Sequence, residues 1–170
     1  MRPEPSRGPI RLWPDDWNER RAGAGCEACS QGRPDEDAHG VRWFAGVHAD
    51  AYLKRTTPAA GYSTVMFRGR HVADPGDLTD EETVGFWADV RTAARAVEAV
   101  FQPCHLNYQL LGNAVPHVHV HLVPRYIDDG YPERPLGEAA WAAARQLTAG
   151  ELLDQVTALR AAVARTTDLH

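Results

Sequence analysis

The sequence predicts an α+β domain: an antiparallel sheet of about five strands, one central helix and further helices at the C-terminus. Three observations carry this. Residues 117–123 alternate polar and apolar side chains, the period of a strand. Residues 79–101 carry a start signal, an apolar stripe at helical spacing and a stop signal. Strand-like runs lie on both sides of that helix, in the order β-β-β-α-β-β, which suits an antiparallel sheet.

Residues 1–25 are rich in Pro, Arg and Gly, with Trp13 and Trp17 as isolated apolar anchors, and read as an arm that docks by its tryptophans. Residues 30–40 are polar and loop-like. Val41 to Val47 and Ala51 to Arg55 read as a hairpin, and Tyr62 to Phe67 as a third strand. Thr79-x-x-Glu82 is a capping box, and Asp80 and Glu81 suit the positive end of a helix dipole. Phe86, Val90, Ala93, Ala94, Val97 and Phe101 form the apolar stripe, and Pro103 ends the helix. Leu106 to Leu111 and His117 to Val123 are two more strands. After a loop through Asp128-Asp129-Gly130, Ala-rich helices are expected over roughly 138–149 and 150–165, broken at Gly150. The division expected is an arm (1–25), a central domain (26–128) and a C-terminal helical extension (129–170).

The 170 residues suit a single hydrophobic core. With 18 basic and 23 acidic residues the net charge is −5, which argues against a long polyanion such as polymeric nucleic acid as partner. A small phosphorylated ligand needs only a few local donors. No apolar run reaches the roughly 20 residues of a membrane span. The proline-rich first nine residues lack the apolar segment of a secretory signal, so a cytoplasmic location is the default expectation. In a reducing compartment, Cys26-Glu27-Ala28-Cys29 reads as metal or redox chemistry rather than a structural disulfide.

On a strand, His117, His119 and His121 share one face, roughly 6.6 Å apart, opposite Val118, Val120 and Leu122. Three imidazoles in a row need partners for six ring nitrogens, which points to a polar site. The segment His117-Val118-His119-Val120-His121-Leu122-Val123, with Leu111-Gly112-Asn113 upstream and Pro124-Arg125 closing it, resembles the signature of the histidine triad family of nucleotidyl hydrolases and transferases. The resemblance covers about residues 26–128, and the family's fold has the same element order.

That resemblance implies a small nucleotide substrate, cleaved at a 5′-phosphoanhydride or phosphoramidate through a nucleotidyl-histidine intermediate. It implies His119 as nucleophile, with His117 and His121 orienting its ring and donating to phosphate oxygens. It implies Asn113 at the α-phosphate. Asn107 is a further ligand contact or a backbone cap, and Arg125 a contact to a polyphosphate tail or a solvated strand end. Arg55 stands where an acidic or amide side chain often faces the ribose, and Gly61-Tyr62 where Gly-His is frequent. Arg55 selects a substrate with an extra phosphate, or it faces solvent.

By resemblance to the zinc-binding branch of the family, Cys26 and Cys29 bind structural Zn²⁺ with His71 and His117; rival ligands in the sequence are His39, His48, His105 and Cys104. A homodimer is also implied, with Trp87 lying off the core stripe of the helix as a candidate anchor, unless the C-terminal helices cover it. Two other functions remain open at this point. One is a catalytic zinc enzyme with all three strand histidines on one metal. The other is a nucleotide-binding module with little turnover.

Overall fold

A computed structural model describes residues 13–167 of the chain. The first twelve residues of the expected arm, and residues 168–170 of the expected extension, lie outside them. The arm contributes a short helix, α1 (Trp17–Arg21), and α2 (Glu27–Ser30) follows it. The hairpin is β1 (Gly40–Ala45) and β2 (Ala49–Lys54), and the Asp89 carboxylate accepts from the backbone N–H of His48 and Ala49 at its turn. A two-residue strand, β3 (Thr56–Thr57), precedes β4 (Ser63–Phe67).

Helix α3 (Asp80–Phe101) begins at the expected capping box: Thr79 Oγ1 accepts from Glu82 N–H at 3.2 Å, and Glu82 accepts from Thr79 N–H at 2.8 Å. It ends at Gln102, in the left-handed conformation (φ 48°). β5 (His105–Gln109) and β6 (His119–Arg125) complete a five-stranded antiparallel sheet in the order β1-β2-β4-β6-β5.

The C-terminal part differs from expectation. The first helix, α4 (Glu138–Ala142), is only five residues long. The chain then forms β7 (Arg145–Gln146), pairs it with β3, and enters α5 (Ala149–Thr167). The break falls before Thr148 because a second capping box sits there: Thr148 Oγ1 accepts from Glu151 N–H, and the Glu151 carboxylate accepts from Thr148 N–H. Gly150 lies inside the first turn of α5. Leu152, Val156, Leu159 and Ala162 are buried at helical spacing and share one core with α3 and the sheet.

The sheet has two different faces. Ala49, Ala51 and Leu53 of β2, Val65 and Phe67 of β4, and Val120 and Leu122 of β6 join Phe86, Val90 and Val97 of α3 in the apolar core. Strand alternation therefore turns the intervening residues the other way: Asp50, Tyr52 and Lys54, then Thr64 and Met66, then His119 and His121. The registers Asp50↔Met66↔His119 and Tyr52↔Thr64↔His121 set them in two rows across three strands.

Candidate active site and metal centre

The polar face forms the floor of a cavity of about 730 Å³. His117, His119 and His121 line it, with Thr64, Tyr52 and Lys54 beside them on the neighbouring strands. His117 (3% exposed) and His119 (8%) are buried. Although three consecutive odd-numbered residues share the wall, they do not form an equivalent row. His117 lies just before β6, and both of its ring nitrogens are turned to other groups.

A single set of neutral tautomers satisfies the hydrogen bonds along the strand. His119 Nδ1–H donates to the His117 carbonyl at 2.7 Å, which leaves a lone pair on Nε2. His121 Nε2 lies 3.0 Å from that atom, and with the Nδ1–H of His119 committed, His121 Nε2–H is the donor. His121 Nδ1 then accepts from the Tyr62 hydroxyl at 2.7 Å. Tyr62 also stacks on His121, with ring centroids 5.9 Å apart and planes 13° apart. Burial holds all three imidazoles below the ordinary histidine pKa, and takes His121, which also faces His119 and Lys54, down to about 4. Burial likewise pushes the Tyr62 phenol up to about 12, so it remains a donor.

Gly61 positions Tyr62. It has φ +82°, and a Cβ there would meet the Phe101 ring at 2.5 Å, so neither the conformation nor the space admits a side chain. Trp141 of α4 closes the other side of Tyr62, edge-on at 5.2 Å. The C-terminal segment thus helps to hold the tyrosine that orients His121.

At the other end of the strand, Cys26, Cys29, His71 and His117 converge, with one ligand atom from each lying within 4.8 Å of all the others. Cys26 is the N-cap of α2 and Cys29 follows one helical turn later, so both thiols face the same way. Val118 N–H donates to the Val72 carbonyl, which brings His71 alongside His117. Sulfur-to-Nδ1 distances are 3.5 Å for Cys26–His117, 3.6 Å for Cys29–His117 and 3.7 Å for Cys29–His71. A tetrahedral zinc with ordinary bond lengths requires S···N separations of roughly 3.5 Å.

The outer nitrogens fit as well. His117 Nε2–H donates to the Phe67 carbonyl at 2.9 Å, and His71 Nε2–H to the Arg21 carbonyl at 3.0 Å. Both rings therefore present Nδ1 lone pairs to the thiols, the arrangement metal-binding histidines adopt. The arm docks here through the Arg21 carbonyl, an Arg21–Asp74 ion pair and Gly23, whose missing Cβ would lie 3.1 Å from the His71 ring. Of its tryptophans, Trp13 is 59% exposed and packs on Trp17, which is half-buried and lines a small depression with Asp74 and Leu111. The rivals His39, His48, His105 and Cys104 are outside this cluster.

Four other residues considered for ligand contact are placed differently. Arg125 is buried, and all five of its guanidinium N–H groups are used: two on the Asp129 carboxylate, one on Asn107 Oδ1, one each on the carbonyls of Arg134 and Tyr131. No donor remains for a polyphosphate, and Asn107 is occupied as its acceptor. Asn113 lines a separate small depression beside Trp17 and Asp74 rather than the cavity of the histidines. Arg55 turns away from the cavity, donating to the Asp37 carbonyl and lying 3.3 Å from Glu36. Its neighbour Lys54 is the residue that faces the site. The alternation of Asp50, Tyr52 and Lys54 with Ala49, Ala51 and Leu53 was the sequence signal for this face.

The chain resembles known proteins in sequence and in fold. The family model described as "HIT domain" matches residues 50–128. "Protein hit" of Bacillus subtilis (strain 168) is 27% identical over 95 residues, which are 53% of this chain. The chain spans 65% of the length of that relative. A zinc-bound histidine triad family protein from Mycobacterium smegmatis shares the fold with a TM-score of 0.61, at 22% identity, over 89% of this chain and 99% of the other. A histidine triad protein from Bradyrhizobium japonicum has a TM-score of 0.62, at 20% identity, over 74% and 91%. The His-x-His-x-His strand, the sheet that carries it and the family-model match agree: residues 50–128 are a HIT domain, in the fold that these histidine triad proteins share.

Proposed function

We propose that this protein is a nucleotidyl hydrolase or transferase acting through a covalent intermediate on His119. The HIT domain at residues 50–128 supports a nucleotide-directed, hydrolase-type function in general. The hydrogen-bond chain Tyr62–His121–His119–His117 carbonyl carries the finer reading, because it puts the His119 Nε2 lone pair at the cavity wall, held only by the His121 Nε2–H, a donor that a bound phosphate oxygen takes over.

In this mechanism His119 Nε2 attacks the α-phosphorus of a nucleoside 5′-phosphoanhydride or phosphoramidate. The P–N bond forms as the bond to the leaving group breaks; the leaving group departs as its anion, an amine taking its proton from water, and is stabilised by a hydrogen bond from the His121 Nε2 proton. The Tyr62 hydroxyl keeps His121 in the tautomer that carries that proton beside His119. The His117 carbonyl stabilises the positive charge that develops on the attacking ring, through His119 Nδ1–H. A water, or another acceptor in a transferase, then attacks phosphorus, releases its proton to solvent and frees His119 as the P–N bond breaks. The product is a nucleoside monophosphate or its transferred ester.

Cys26, Cys29, His71 and His117 fit Zn²⁺ and would hold it in a closed four-ligand site, where its contribution is structural. With Nδ1 on the metal and Nε2–H on Phe67, His117 acts on the chemistry through its carbonyl rather than its ring. Among the described residues, the groups that converge for a metal are these four and not the three strand histidines, which disfavours a three-histidine catalytic zinc.

Intact-mass analysis after brief mixing with dinucleoside polyphosphates and nucleoside phosphoramidates tests the reading. A nucleotidyl adduct is expected on the wild type and none on His119→Ala, together with a loss in kcat of about a thousandfold or more. Retention of a tenth of the activity by the variant would overturn the assignment.

A further inference from the structure

Lys54 ends β2 on the cavity face, one residue row beyond the row that holds His121. Its backbone N–H bonds to the Tyr62 carbonyl, next to the pairs Leu53↔Ser63 and Ser63↔Leu122. It lines the cavity with Tyr52, Thr64, His119 and His121. The other two cations of the lining are matched. Arg33 grips the buried Asp50 carboxylate with two N–H groups, and Arg68 lies 3.5 Å from the same carboxylate. The Lys54 ammonium makes no hydrogen bond and no ion pair among the described residues. Asp37, the acid whose field it feels, spends Oδ1 on the backbone N–H groups of His39 and Gly40.

A half-buried ammonium without a partner is unfavourable, and an arriving anion relieves it. Burial lowers the Lys54 pKa accordingly, and its charge is felt at both His119 and His121. The phosphorus under attack must sit on His119 Nε2, beside the proton of His121. Lys54 reaches in from a strand two ladder spacings away, roughly 10 Å from β6. Its ammonium therefore meets the substrate at a position beyond the reacting phosphate.

We propose that Lys54 is a specificity residue that binds a second phosphate of the substrate, distinct from the one attacked by His119. This rests on the nucleotide reading above and narrows the substrate class to nucleotides carrying two phosphates. The second phosphate is either part of a 5′-pyrophosphate chain or borne on the ribose.

Calorimetric binding to the full chain separates these. The ligands are adenosine 5′-monophosphate, the α,β-methylene analogue of adenosine 5′-diphosphate, and adenosine 3′,5′-bisphosphate. The wild type should prefer one of the two-phosphate ligands over the monophosphate by about ten- to a hundredfold, and which one shows where the second phosphate lies. Lys54→Met should reduce that preference to about threefold or less, and Lys54→Arg should keep most of it. Equal affinity of the wild type for all three ligands overturns the proposal, as does a preference that survives in Lys54→Met. Failure of all three ligands to bind overturns the nucleotide reading itself, and the assignment of Lys54 with it.

Discussion

Replacing Arg125 by Ala should unfold the protein at a lower temperature without selectively weakening any substrate. The side chain is 9% exposed and its partner Asp129 16% exposed, so both charges are largely withdrawn from water. The substitution strands the Asp129 carboxylate, the Asn107 amide oxygen and the carbonyls of Tyr131 and Arg134. Breaking a buried pair by removing one partner costs about 3–5 kcal/mol. Asp129 keeps some access to water, so the lower end, about 3 kcal/mol, is the figure to expect. For a chain of this size that corresponds to a fall in Tm of roughly 6–12 °C.

The effect should also depend on pH. Arg125 and the backbone N–H groups of Tyr131 and Tyr126 hold the Asp129 carboxyl down at about 2, against 3.8 when free. A depressed acid favours the folded state above its unfolded pKa, and the gain disappears as pH falls through the folded value. The difference in Tm between wild type and variant should therefore be full above about pH 4 and shrink between pH 4 and 2. Calorimetry across that range measures it, with KM for a diphosphate-type and a phosphoramidate-type substrate determined in parallel. If Tm is unchanged and KM rises only for the substrate with the longer phosphate chain, Arg125 contacts the ligand and the structural assignment fails.

Protein purified without chelator should contain about one zinc per chain by elemental analysis. Cys26→Ser with Cys29→Ser should lose the metal and melt lower by on the order of 10 °C or more, since closed zinc sites contribute directly to folding; metal-free wild-type protein with unchanged stability would reject the site. The chain should also form a homodimer through α3, where Val84 (73% exposed) and Trp87 (42% exposed) lie one turn apart and α5 leaves both accessible. Light scattering at micromolar concentration should give about twice 18.7 kDa, and a mass near 18.7 kDa would exclude the dimer.

Much of the fold was written in local signals. The Thr79–Glu82 capping box, the stripe from Phe86 to Phe101 and the alternation at 117–123 each depend on neighbours within one turn or one pleat, so the sequence alone located them. Thr148-x-x-Glu151 is an equally local signal, and it marks the true start of α5 more accurately than Gly150 does. The histidine strand was legible for the same reason, and so was the Cys-x-x-Cys turn.

What the sequence could not decide were contacts between groups distant along the chain. Cys29 and His71 are 42 positions apart, and Cys26 and His117 are 91 apart; only the antiparallel pairing of β4 with β6 and the docking of the Cys-x-x-Cys turn on their ends make their spacing fit a metal. The same holds for Tyr62 on His121, 59 positions away. Arg125 reads as a free cation at a strand end until the loop 129–134 folds back and occupies every donor. Whether Lys54 or Arg55 faces the cavity depended on the pleat of β2 and its register with β4. A shift of one residue would have exchanged the two, because successive side chains on a strand point to opposite faces.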